Sequence, residues 1–356
     1  MSHVLKVGLV GSGIGRRHLA AFASLPDQFQ VVAVCDIDPS RAGALAAEYK
    51  VPCVATDMTD LCRMDDLDVI DICTPSFLHY EQTLQVLDAG KHVICEKPVA
   101  RSLQEVDEIM AAEKKSGKRV MPIFQYRFGS GLQKLKRLVS DGVAGCAYLT
   151  TVETAWRRRA DYYATWRGKW KMELGGAMVT LAIHAHDALY YILGPAKSVF
   201  ARTATRVNPI ETEDCISASL EMADGSLCSL SVTTGSTHQI SRLRFCFSHL
   251  SAESNTQLYT NTSDPWTFTG DSAEIDQRIQ ATLTRLEPLP EGFAGQFYRF
   301  HQALRRQAGT AELPVTLADA RAVLELITAV YLSARTGQVV TLPIGQAHPY
   351  CTGWPP

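Results

Sequence analysis

The strongest constraint on the fold is an alternation of short apolar runs with helical patterns over the first third of the chain. The runs, rich in β-branched residues, are Val7–Val10, Val31–Cys35, Val69–Cys73, His92–Cys95 and Val120–Phe124. Such runs are typical of parallel strands buried on both faces. Amphipathic stretches between them, such as 81–89 and 103–115, are each followed by a glycine that favours a helix end. The alternation predicts a doubly wound α/β domain over residues 1–123.

From about Gly145 the hydrophobic pattern changes to a period of two. At 356 residues the chain is long for one core, so a second domain is expected over residues 124–356. Strands are predicted at 147–155, 198–207, 215–222, 226–233, 243–247 and 339–342, and helices at 176–193, 293–307 and 317–336. The dipeptide Asp224-Gly225 favours a hairpin. We therefore predict an antiparallel sheet in an α+β domain, with the two C-terminal helices returning towards the first domain.

Composition excludes several classes of partner. The formal net charge is −2, whereas nucleic acids and anionic membranes select basic proteins. The ten cysteines are scattered without a C-x-x-C pair, so we expect reduced, structural thiols, no metal site and a cytoplasmic protein. The chain enters an apolar strand by Val7, so we expect no signal peptide, and no apolar stretch approaches the roughly 20 residues of a membrane span.

A glycine-rich turn follows the first predicted strand. A turn this tight needs residues without a Cβ, so that the backbone can approach a pyrophosphate at the N-terminus of the next helix, expected to begin near Arg16. A preceding strand and a following helix are the context that a dinucleotide site requires. The predicted phosphate-binding residues are Gly11, Ser12, Gly13, Ile14 and Gly15.

An acidic residue, Asp36, ends the second predicted strand about 25 residues after Gly11, where a carboxylate would meet the adenosine ribose. It would accept hydrogen bonds from the ribose hydroxyls and repel a 2′-phosphate, so it favours NAD over NADP. Ile37 and Arg41 are predicted to line the same site, and Arg41 could accommodate a phosphate. The alternative is that Asp36 is a helix N-terminal residue or a solvated loop charge.

Polar residues also follow two later strands. Ligands of open parallel sheets bind outside the carboxyl ends of the strands, so both segments are expected near the cofactor. They contain Thr74, Pro75, Ser76 and His79 in the first segment and Glu96 and Lys97 in the second. A lysine beside a cationic nicotinamide would lose proton affinity, which suits Lys97 to proton transfer or to polarising a carbonyl. The alternative is a surface lysine that pairs with Glu96.

A second candidate cluster lies on the predicted helix at 176–193. Thr180 and His184 are four residues apart and Asp187 follows three later, so the hydroxyl, imidazole and carboxylate would share one stripe, with Asp187 orienting the ring. The alternative for His184 is a satisfied core histidine. A metal bound by His184, His186 and Asp187 is disfavoured, because these positions do not converge on a helix.

Together these residues resemble the glucose–fructose oxidoreductase/inositol dehydrogenase (Gfo/Idh/MocA) family over nearly the whole chain. The resemblance rests on the glycine turn with His18, Thr74-Pro75 with His79, the run Ala89–Pro98 that contains Glu96-Lys97-Pro98, Tyr126-Arg127-Phe128, Trp166-Arg167, Gly175-Gly176 through His184 and Asp187, and Ser333–Gly337. Glu96-Lys97-Pro98 in that setting is highly specific.

The resemblance implies a Rossmann domain plus a domain with an open, mostly antiparallel sheet whose outer face makes a homo-oligomer, a dimer or tetramer. It implies a cofactor lying across the glycine turn, Asp36, Thr74, His79 and Glu96, with Trp166 and Arg167 closing over it. Lys97 and His184 would flank the reacting carbon as catalytic residues. The implied substrate contacts are Lys97, Tyr126, Arg127, Trp156, Thr180, His184 and Asp187.

Two positions depart from the family pattern. Only Ile14 separates Gly13 from Gly15, where relatives usually have two residues. Thr180 stands where many relatives carry a catalytic aspartate or asparagine, and threonine cannot share a carboxylate's proton transfer near neutral pH. The proton transfer would then fall on His184 and Lys97.

We therefore expect an NAD(H)-dependent dehydrogenase acting on the CH–OH group of a sugar, inositol or sugar derivative. The alternatives are a dehydrogenase of the same fold with a non-carbohydrate substrate and an NAD-binding regulator without turnover, which Thr180 favours. Arginines and aromatic residues between Trp156 and Arg167 slightly favour an anionic substrate, because aromatic faces stack on sugar rings and arginines bind carboxylate or phosphate. The alternative is that these arginines form a solvated cluster of loop charges and do not bind substrate.

Overall fold

Two β-sheets organise the chain, and each belongs to a separate structural unit. The computed structural model describes residues 4–305, 313–345 and 347–354. The first unit comprises Met1–Phe124 and Phe293–Arg321, and the second comprises Gln125–Gly292 and Ala322–Pro356. None of the helices in these described ranges has the length and apolar character that crossing a bilayer requires.

The sheet of the first unit has six parallel strands. They are β1 (Leu5–Val10), β2 (Phe29–Cys35), β3 (Cys53–Ala55), β4 (Val69–Ile72), β5 (His92–Cys95) and β6 (Val120–Pro122). Their order is β3-β2-β1-β4-β5-β6, so the direction of winding reverses between β1 and β4. The predicted doubly wound α/β domain is confirmed. The short β3 was not predicted, because it has only three residues and none is fully buried.

Five helices connect these strands. They are α1 (Ser12–Ala23), α2 (Pro39–Tyr49), α3 (Met58–Cys62), α4 (His79–Asp88) and α5 (Leu103–Ser116). The caps follow the sequence: Asp38 accepts the first amides of α2, and Gly117 ends α5 with a left-handed φ of 67°. The predicted start of α1 near Arg16 is wrong. The helix begins at Ser12, because the Asp36 carboxylate accepts the Ser12 amide at 2.8 Å.

The sheet of the second unit has eight strands. They are β7 (Ala147–Arg157), β8 (Ala196–Ala204), β9 (Cys215–Met222), β10 (Leu227–Thr233), β11 (Gly235–Phe247), β12 (Leu250–Glu253), β13 (Thr267–Gly270) and β14 (Val340–Thr341). The order is β13-β12-β11-β7-β10-β9-β8-β14, and of the seven pairs only β7 with β10 is parallel. The predicted open, mostly antiparallel sheet is confirmed. Neither β12 nor β13 was predicted, since each has only four residues and β13 buries none.

The remaining helices are α6 (Ser130–Ser140), α7 (Trp170–Glu173), α8 (Ala177–Thr180), α9 (Ile183–Leu193), α10 (Ala273–Leu283), α11 (Gly292–Arg305) and α12 (Leu317–Thr336). Gln307, the predicted end of α11, lies outside the described residues. The single helix predicted at 176–193 is wrong. The carbonyl of Ala177 accepts the amides of both Leu181 and Ala182, which widens the turn and separates α8 from α9.

The turn between β1 and α1 depends on two glycines. Gly11 has a φ of 98°, and a Cβ on it would lie 2.6 Å from the carbonyl oxygen of Cys73. A Cβ on Gly15 would lie 2.8 Å from the Leu9 side chain, so α1 packs against β1 at that point only because the side chain is absent. Both glycines therefore permit close backbone approach, which is the role predicted for a glycine-rich turn.

Replacing Gly11 with alanine is expected to destabilise the protein by about 1–3 kcal/mol, because the left-handed backbone and the contact with Cys73 both oppose a Cβ. Urea or thermal unfolding of the cofactor-free protein measures the effect. Gly13→Ala is the matched control: Gly13 is helical, and its Cβ would meet only Arg41 at 3.8 Å. The control should gain up to about 1 kcal/mol, and equal losses in both variants would contradict the assignment.

Candidate active site

The glycine turn presents the first turn of α1 to solvent. Gly13 and Ile14 are exposed, and the space above Gly13 is open apart from the end of the Arg41 side chain. Amides in the first turn of a helix have no intrahelical partners, and the helix dipole favours an anion there. The first turn of α1 therefore has open space beside it, and the binding of a pyrophosphate there stays a prediction.

Asp36 is held at the end of β2 by its neighbours. Its carboxylate accepts the Ser12 amide, the Ser12 hydroxyl and the Asp38 amide, and Arg41 lies 3.9 Å away. Burial by itself would raise the pKa of this carboxyl, but the bonds from Ser12 and Asp38 outweigh it and lower the pKa below its usual value. Asp36 thus keeps its negative charge beside the turn. It anchors the N-terminus of α1, and Ile37 next to it is almost fully exposed.

The segment after β4 is tied to the segment after β5 through His79. The two ring nitrogens of this buried residue lie 2.7 Å from the carbonyl oxygen of Pro98 and 2.8 Å from that of Thr74. The Thr74 hydroxyl donates to Gln82 at 2.6 Å. Thr74, Ser76 and His79, all predicted cofactor contacts, therefore stand at the strand ends, with His79 holding the backbone of this region together.

A buried charge cluster that the sequence analysis missed lies beneath Lys97. His18 on α1 is fully buried, with Nδ1 2.8 Å from Asp71 and Nε2 3.2 Å from Glu96. Burial by itself would lower the pKa of His18, but the negative charge of Asp71, together with Cys73, raises it well above the usual value. We therefore describe His18 as an imidazolium. Glu96 also accepts the backbone amide of Lys97 at 3.1 Å, so the cluster fixes the chain where Lys97 leaves β5.

The cluster also contains three potential metal ligands, since Nδ1 of His18, Asp71 and Cys73 converge within 4.8 Å. The ring nitrogen lies 2.8 Å from the carboxylate and 3.3 Å from the sulfur. Two ligands around a tetrahedral zinc ion would be about 3.3–3.6 Å apart. The shorter nitrogen–oxygen distance is that of a charged hydrogen bond, and we therefore assign no metal to the cluster.

In the second unit, a buried carboxylate fixes the glycine pair before α8. Glu213 accepts the amides of Gly176 and Met178 at 3.0 Å each and the hydroxyl of Tyr331 at 2.9 Å. A Cβ on Gly176 would lie 2.0 Å from the Glu213 carbonyl oxygen. Burial raises the pKa of Glu213 to about 7. Neither Glu213 nor Tyr331 was predicted, because they are 118 residues apart and no local pattern relates them.

Thr180 and His184, both predicted substrate contacts, lie on either side of the break between α8 and α9. The Thr180 hydroxyl donates to the Gly176 carbonyl oxygen at 2.9 Å, so part of its hydrogen-bonding capacity serves the backbone. The His184 ring stacks on Tyr126 with centroids 4.6 Å apart. The prediction that Thr180 and His184 share an uninterrupted helical stripe is wrong. His186 is fully buried, and burial lowers its pKa to about 3, so its ring is neutral.

Arg127 and Asp187 form a buried ion pair. The guanidinium donates from Nε at 2.8 Å and from Nη2 at 2.7 Å to the two carboxylate oxygens, and both residues are at most 5% exposed. Trp156 is also buried and donates from its indole nitrogen to Ser241 at 2.8 Å. These three predicted substrate contacts are therefore each bonded to another residue of the second unit. That Asp187 orients the His184 ring stays a prediction.

Trp166 and Arg167 follow β7 in the segment that leads to α7. Both are partly exposed, and the Arg167 guanidinium carbon lies 4.5 Å from the centroid of the Trp166 ring. The same carbon lies 4.5 Å from the centroid of Tyr162. That these residues close over the cofactor stays a prediction.

A doubly wound sheet with a glycine turn at its first strand end, followed by a mostly antiparallel domain, defines a dinucleotide-binding oxidoreductase of two-domain type. Residues 5–124 match the oxidoreductase family described as GFO_IDH_MocA, NAD-binding Rossmann fold. Residues 132–253 match the GFO/IDH/MocA C-terminal domain. The chain therefore belongs to the Gfo/Idh/MocA family of NAD-binding oxidoreductases, as the sequence motifs indicated.

Known relatives extend this comparison. The chain is 34% identical to D-glucoside 3-dehydrogenase of Escherichia coli over 209 residues, which is 58% of this chain and 59% of that enzyme. The structure of the WlbA dehydrogenase from Bordetella pertussis, in complex with NADH and UDP-GlcNAcA, matches with a TM-score of 0.83 at 29% identity, covering 96% of this chain and 100% of that one. The WlbA dehydrogenase from Chromobacterium violaceum matches with a TM-score of 0.82 at 30% identity, covering 96% and 97%.

Breaking the Arg127–Asp187 pair should strongly destabilise the protein, because each partner would leave a buried charge uncompensated. Arg127→Met and Asp187→Leu alone are each expected to lose about 3–5 kcal/mol in urea unfolding. The double variant should recover most of that loss, since no isolated charge then remains buried. Additive losses in the double variant would show that the two side chains contribute independently.

Replacing Asp36 with asparagine should shift dinucleotide preference, since the ionised carboxylate repels a 2′-phosphate. We expect the ratio of NADPH to NADH affinity, measured by nicotinamide fluorescence, to rise about tenfold, which corresponds to roughly 1.4 kcal/mol. Asp38→Asn is the control, because that exposed carboxylate caps α2 and faces Ser40 and Arg41. An unchanged ratio in the Asp36 variant would argue against a ribose-facing charge.

Proposed function

We propose that this protein is an NAD(H)-dependent dehydrogenase that oxidises a secondary alcohol of a sugar, inositol or sugar derivative, or reduces the corresponding ketone. The observation that carries the proposal is the position of Lys97. It lies just after β5, at the edge of the sheet where open parallel sheets bind ligands. The carboxylate of Glu96 contacts the buried His18 ring and also accepts the backbone amide of Lys97, so it holds the backbone of Lys97 in place. A flexible surface lysine would not need such an anchor.

The first unit would hold the dinucleotide. The pyrophosphate would lie on the first turn of α1, and the ionised Asp36 would face the adenosine ribose. Thr74, Pro75, Ser76, His79 and Glu96 would line the remainder of the cofactor site at the strand ends. A dinucleotide held there would supply the hydride acceptor for alcohol oxidation or, in its reduced form, the hydride donor for ketone reduction.

The chain's own side chains would handle the proton and the oxygen. We assign removal of the hydroxyl proton to the imidazole of His184, whose ring plane is set by stacking on Tyr126. Lys97 would stabilise the negative charge that develops on the oxygen, because an ammonium group donates hydrogen bonds to an alkoxide. Thr180 cannot accept the proton, and its role would be to hydrogen-bond a substrate hydroxyl.

The relatives support a carbohydrate substrate. The Escherichia coli relative is a D-glucoside 3-dehydrogenase, and the two WlbA dehydrogenases were crystallised with NADH and a nucleotide sugar, UDP-GlcNAcA. The alignment with the glucoside enzyme covers 59% of its length, so the transfer of substrate class to this chain is part of our proposal.

Thr180 favours a second candidate, an NAD-binding regulator without turnover. Its hydroxyl donates to the Gly176 backbone, and by the family resemblance a threonine stands where many relatives would carry an aspartate or asparagine. Such a protein would bind NADH tightly yet oxidise none of a panel of polyols, aldoses, glycosides and nucleotide sugars. Turnover of any of them, followed by NADH absorbance, excludes this candidate.

We also propose a homo-oligomer, a dimer or tetramer, formed through the outer face of the second sheet. Leu149 on β7 and Leu227 on β10 are in register, and they are 47% and 53% exposed. Phe200 on β8 adds a third exposed apolar side chain. Apolar side chains grouped on an open sheet face are typical of a protein interface.

The ten free cysteines support our proposal of a reducing, cytoplasmic compartment.

Lys97→Ala and His184→Ala should each lower kcat/KM by about 10²–10⁴-fold on the best substrate of that panel, since each removes a group acting on the reacting oxygen or its proton. Lys114→Ala and His238→Ala, exposed residues of the first and second unit, are the controls. NADH should still bind all four variants, and the melting temperatures of the two controls should stay near that of the wild type. Near-normal turnover in either active-site variant would refute its assigned role.

A further inference from the structure

Glu213 accepts hydrogen bonds from three consecutive backbone amides at the start of α8. Its carboxylate binds the amides of Gly176 and Met178 at 3.0 Å each, and its backbone carbonyl oxygen binds the amide of Ala177 at 3.0 Å. The first amides of a helix have no partner within the helix, so an acceptor must come from elsewhere in the fold. The helix α8 has only four residues, and one residue outside it supplies these acceptors.

Gly176 connects this contact to a side chain of the candidate site. Its amide donates to the Glu213 carboxylate. Its carbonyl oxygen accepts the amide of Thr180 at 3.0 Å and the hydroxyl of Thr180 at 2.9 Å. A single residue therefore separates the Glu213 carboxylate from the Thr180 hydroxyl. The helix α9, which carries His184, begins three residues after Thr180, so its start is also tied to the placement of α8.

Tyr331 of α12 orients the Glu213 carboxylate. Its hydroxyl donates to the carboxylate at 2.9 Å. Its ring is in edge contact with the rings of Trp170 and Trp354, with centroids 5.5 Å and 4.7 Å away. A Cβ on Gly175 would lie 2.8 Å from the Tyr331 hydroxyl, so this glycine lets the phenol approach the backbone closely. These contacts restrict the phenol, which in turn restricts the carboxylate that it binds.

The carboxylate form of Glu213 suits these contacts better than the acid form. Both of its oxygens face N–H or O–H donors, so a proton added to either oxygen would meet one of them. Burial raises the pKa of Glu213 to about 7, because the bonds from Met178, Tyr331 and Gly176 offset only part of the cost of burying the charge. Ionising Glu213 as the pH rises towards 7 therefore costs folding free energy, and stability alone does not explain its charge.

Other ionisable groups come from the elements packed around Glu213. Burial raises the pKa of Tyr331 well above its usual value, so the phenol keeps its proton, and Glu173 of α7 adds negative charge near it. His186 of α9 lies near the Met178 backbone and is neutral, because burial lowers its pKa to about 3. Of the groups with a shifted pKa here, Glu213 alone changes its charge near neutral pH.

We propose that Glu213 is a positioning residue of the dehydrogenase reaction, because its carboxylate fixes the start of α8 and thereby the Thr180 hydroxyl and the helix that carries His184. This inference rests on the proposed function and adds a residue that acts through these two side chains. Protonation of Glu213 leaves one of its donors without an acceptor, so α8 is held less firmly. Misplacing a reacting group by about 1 Å can lower a rate by about 10²-fold. Activity should therefore rise as Glu213 ionises.

The test replaces the carboxylate with an uncharged group of nearly the same shape. Glu213→Gln resembles the protonated acid and should lower kcat about 10–100-fold at about pH 8.5 on the best substrate of the panel. The KM for NAD+ should stay unchanged, since Glu213 lies in the second unit. The ratio of wild-type to variant kcat should fall towards one near about pH 6, where Glu213 is itself protonated. His184 is present in both proteins, so any titration of its ring cancels in the ratio.

Asp214→Asn is the matched control. The Asp214 carboxylate is also buried and also accepts three consecutive amides, those of residues 206–208 at 2.7 to 2.9 Å, but none of them belongs to α8. This variant should lose stability while kcat and its pH dependence stay near those of the wild type. A ratio that does not vary with pH in Glu213→Gln, or equal losses of kcat in Glu213→Gln and Asp214→Asn, overturns the inference.

Tyr331→Phe gives a milder test, because it keeps the ring that packs on Trp170 and Trp354 and removes only the hydroxyl. That hydroxyl bond favours the carboxylate form of Glu213. Its loss should therefore move the midpoint of the rise in kcat with pH to higher pH. A purely structural role of Tyr331 would lower stability without moving the midpoint, so an unmoved midpoint contradicts the proposal even if Glu213→Gln does not fold.

Hydrogen–deuterium exchange gives a readout without turnover. Peptides covering residues 176–184 should exchange at least about tenfold faster in Glu213→Gln than in the wild type, whereas Asp214→Asn should accelerate exchange around 206–208 instead. If exchange changes in this way while the wild type oxidises no sugar, the dehydrogenase proposal fails and Glu213 still holds α8. If the wild type is active and Glu213→Gln matches it at every pH, only the positioning role fails.

Discussion

The buried ring of His18 lies between the carboxylates of Asp71 and Glu96 and so organises the strand ends of the first unit. One ring nitrogen binds Asp71 in β4 and the other binds Glu96 at the end of β5, so a single residue of α1 is bonded to two neighbouring strands. Removing any one of the three groups would leave a charge without its partner in the interior of the protein, where such charges are most costly. The same cluster sets the backbone of Lys97 through Glu96. The backbone position of Lys97 therefore depends, through Glu96, on a helix residue 79 positions earlier in the chain.

In the second unit, buried ionisable groups also hold the chain around a proposed catalytic residue, His184, in place. The chain around His184 includes a break between two helices, and broken helices expose backbone groups that need partners. Glu213 binds the amides before α8, and Arg127 holds Asp187 inside α9. Glu213 and Arg127 are thus ionisable groups that are buried and that bind a short segment of irregular backbone or its neighbouring helix. Strained or irregular backbone supported by buried polar groups is common at functional sites.

Local pattern predicted the first unit well and the second unit less well. Long apolar runs marked five of the six parallel strands, because strands buried on both faces need continuous apolar sequence. The strand β3 escaped because a three-residue edge strand carries no periodic signal. In the second unit, the periodicity at 176–193 correctly indicated helical structure. It did not predict the widened turn at Leu181 and Ala182, because the spacing of apolar residues is almost the same with and without such a turn. The alternation of β12 and β13 was too short to distinguish from turns.

Some features of the candidate site could be predicted from local sequence, and others could not. Four features could be recognised from the amino-acid order alone, because each is a residue type at a recognisable position within one local element: the glycine turn, the acidic end of β2, the lysine after β5 and the histidine of α9. The partner of each buried charge could not be recognised in that way, because the partners are distant in sequence and meet through folding. His18 and Asp71 are 53 residues apart, and Glu213 and Tyr331 are 118 apart. Protonation and pairing depend on desolvation and on charges brought together by folding, and no stretch of sequence carries that information locally.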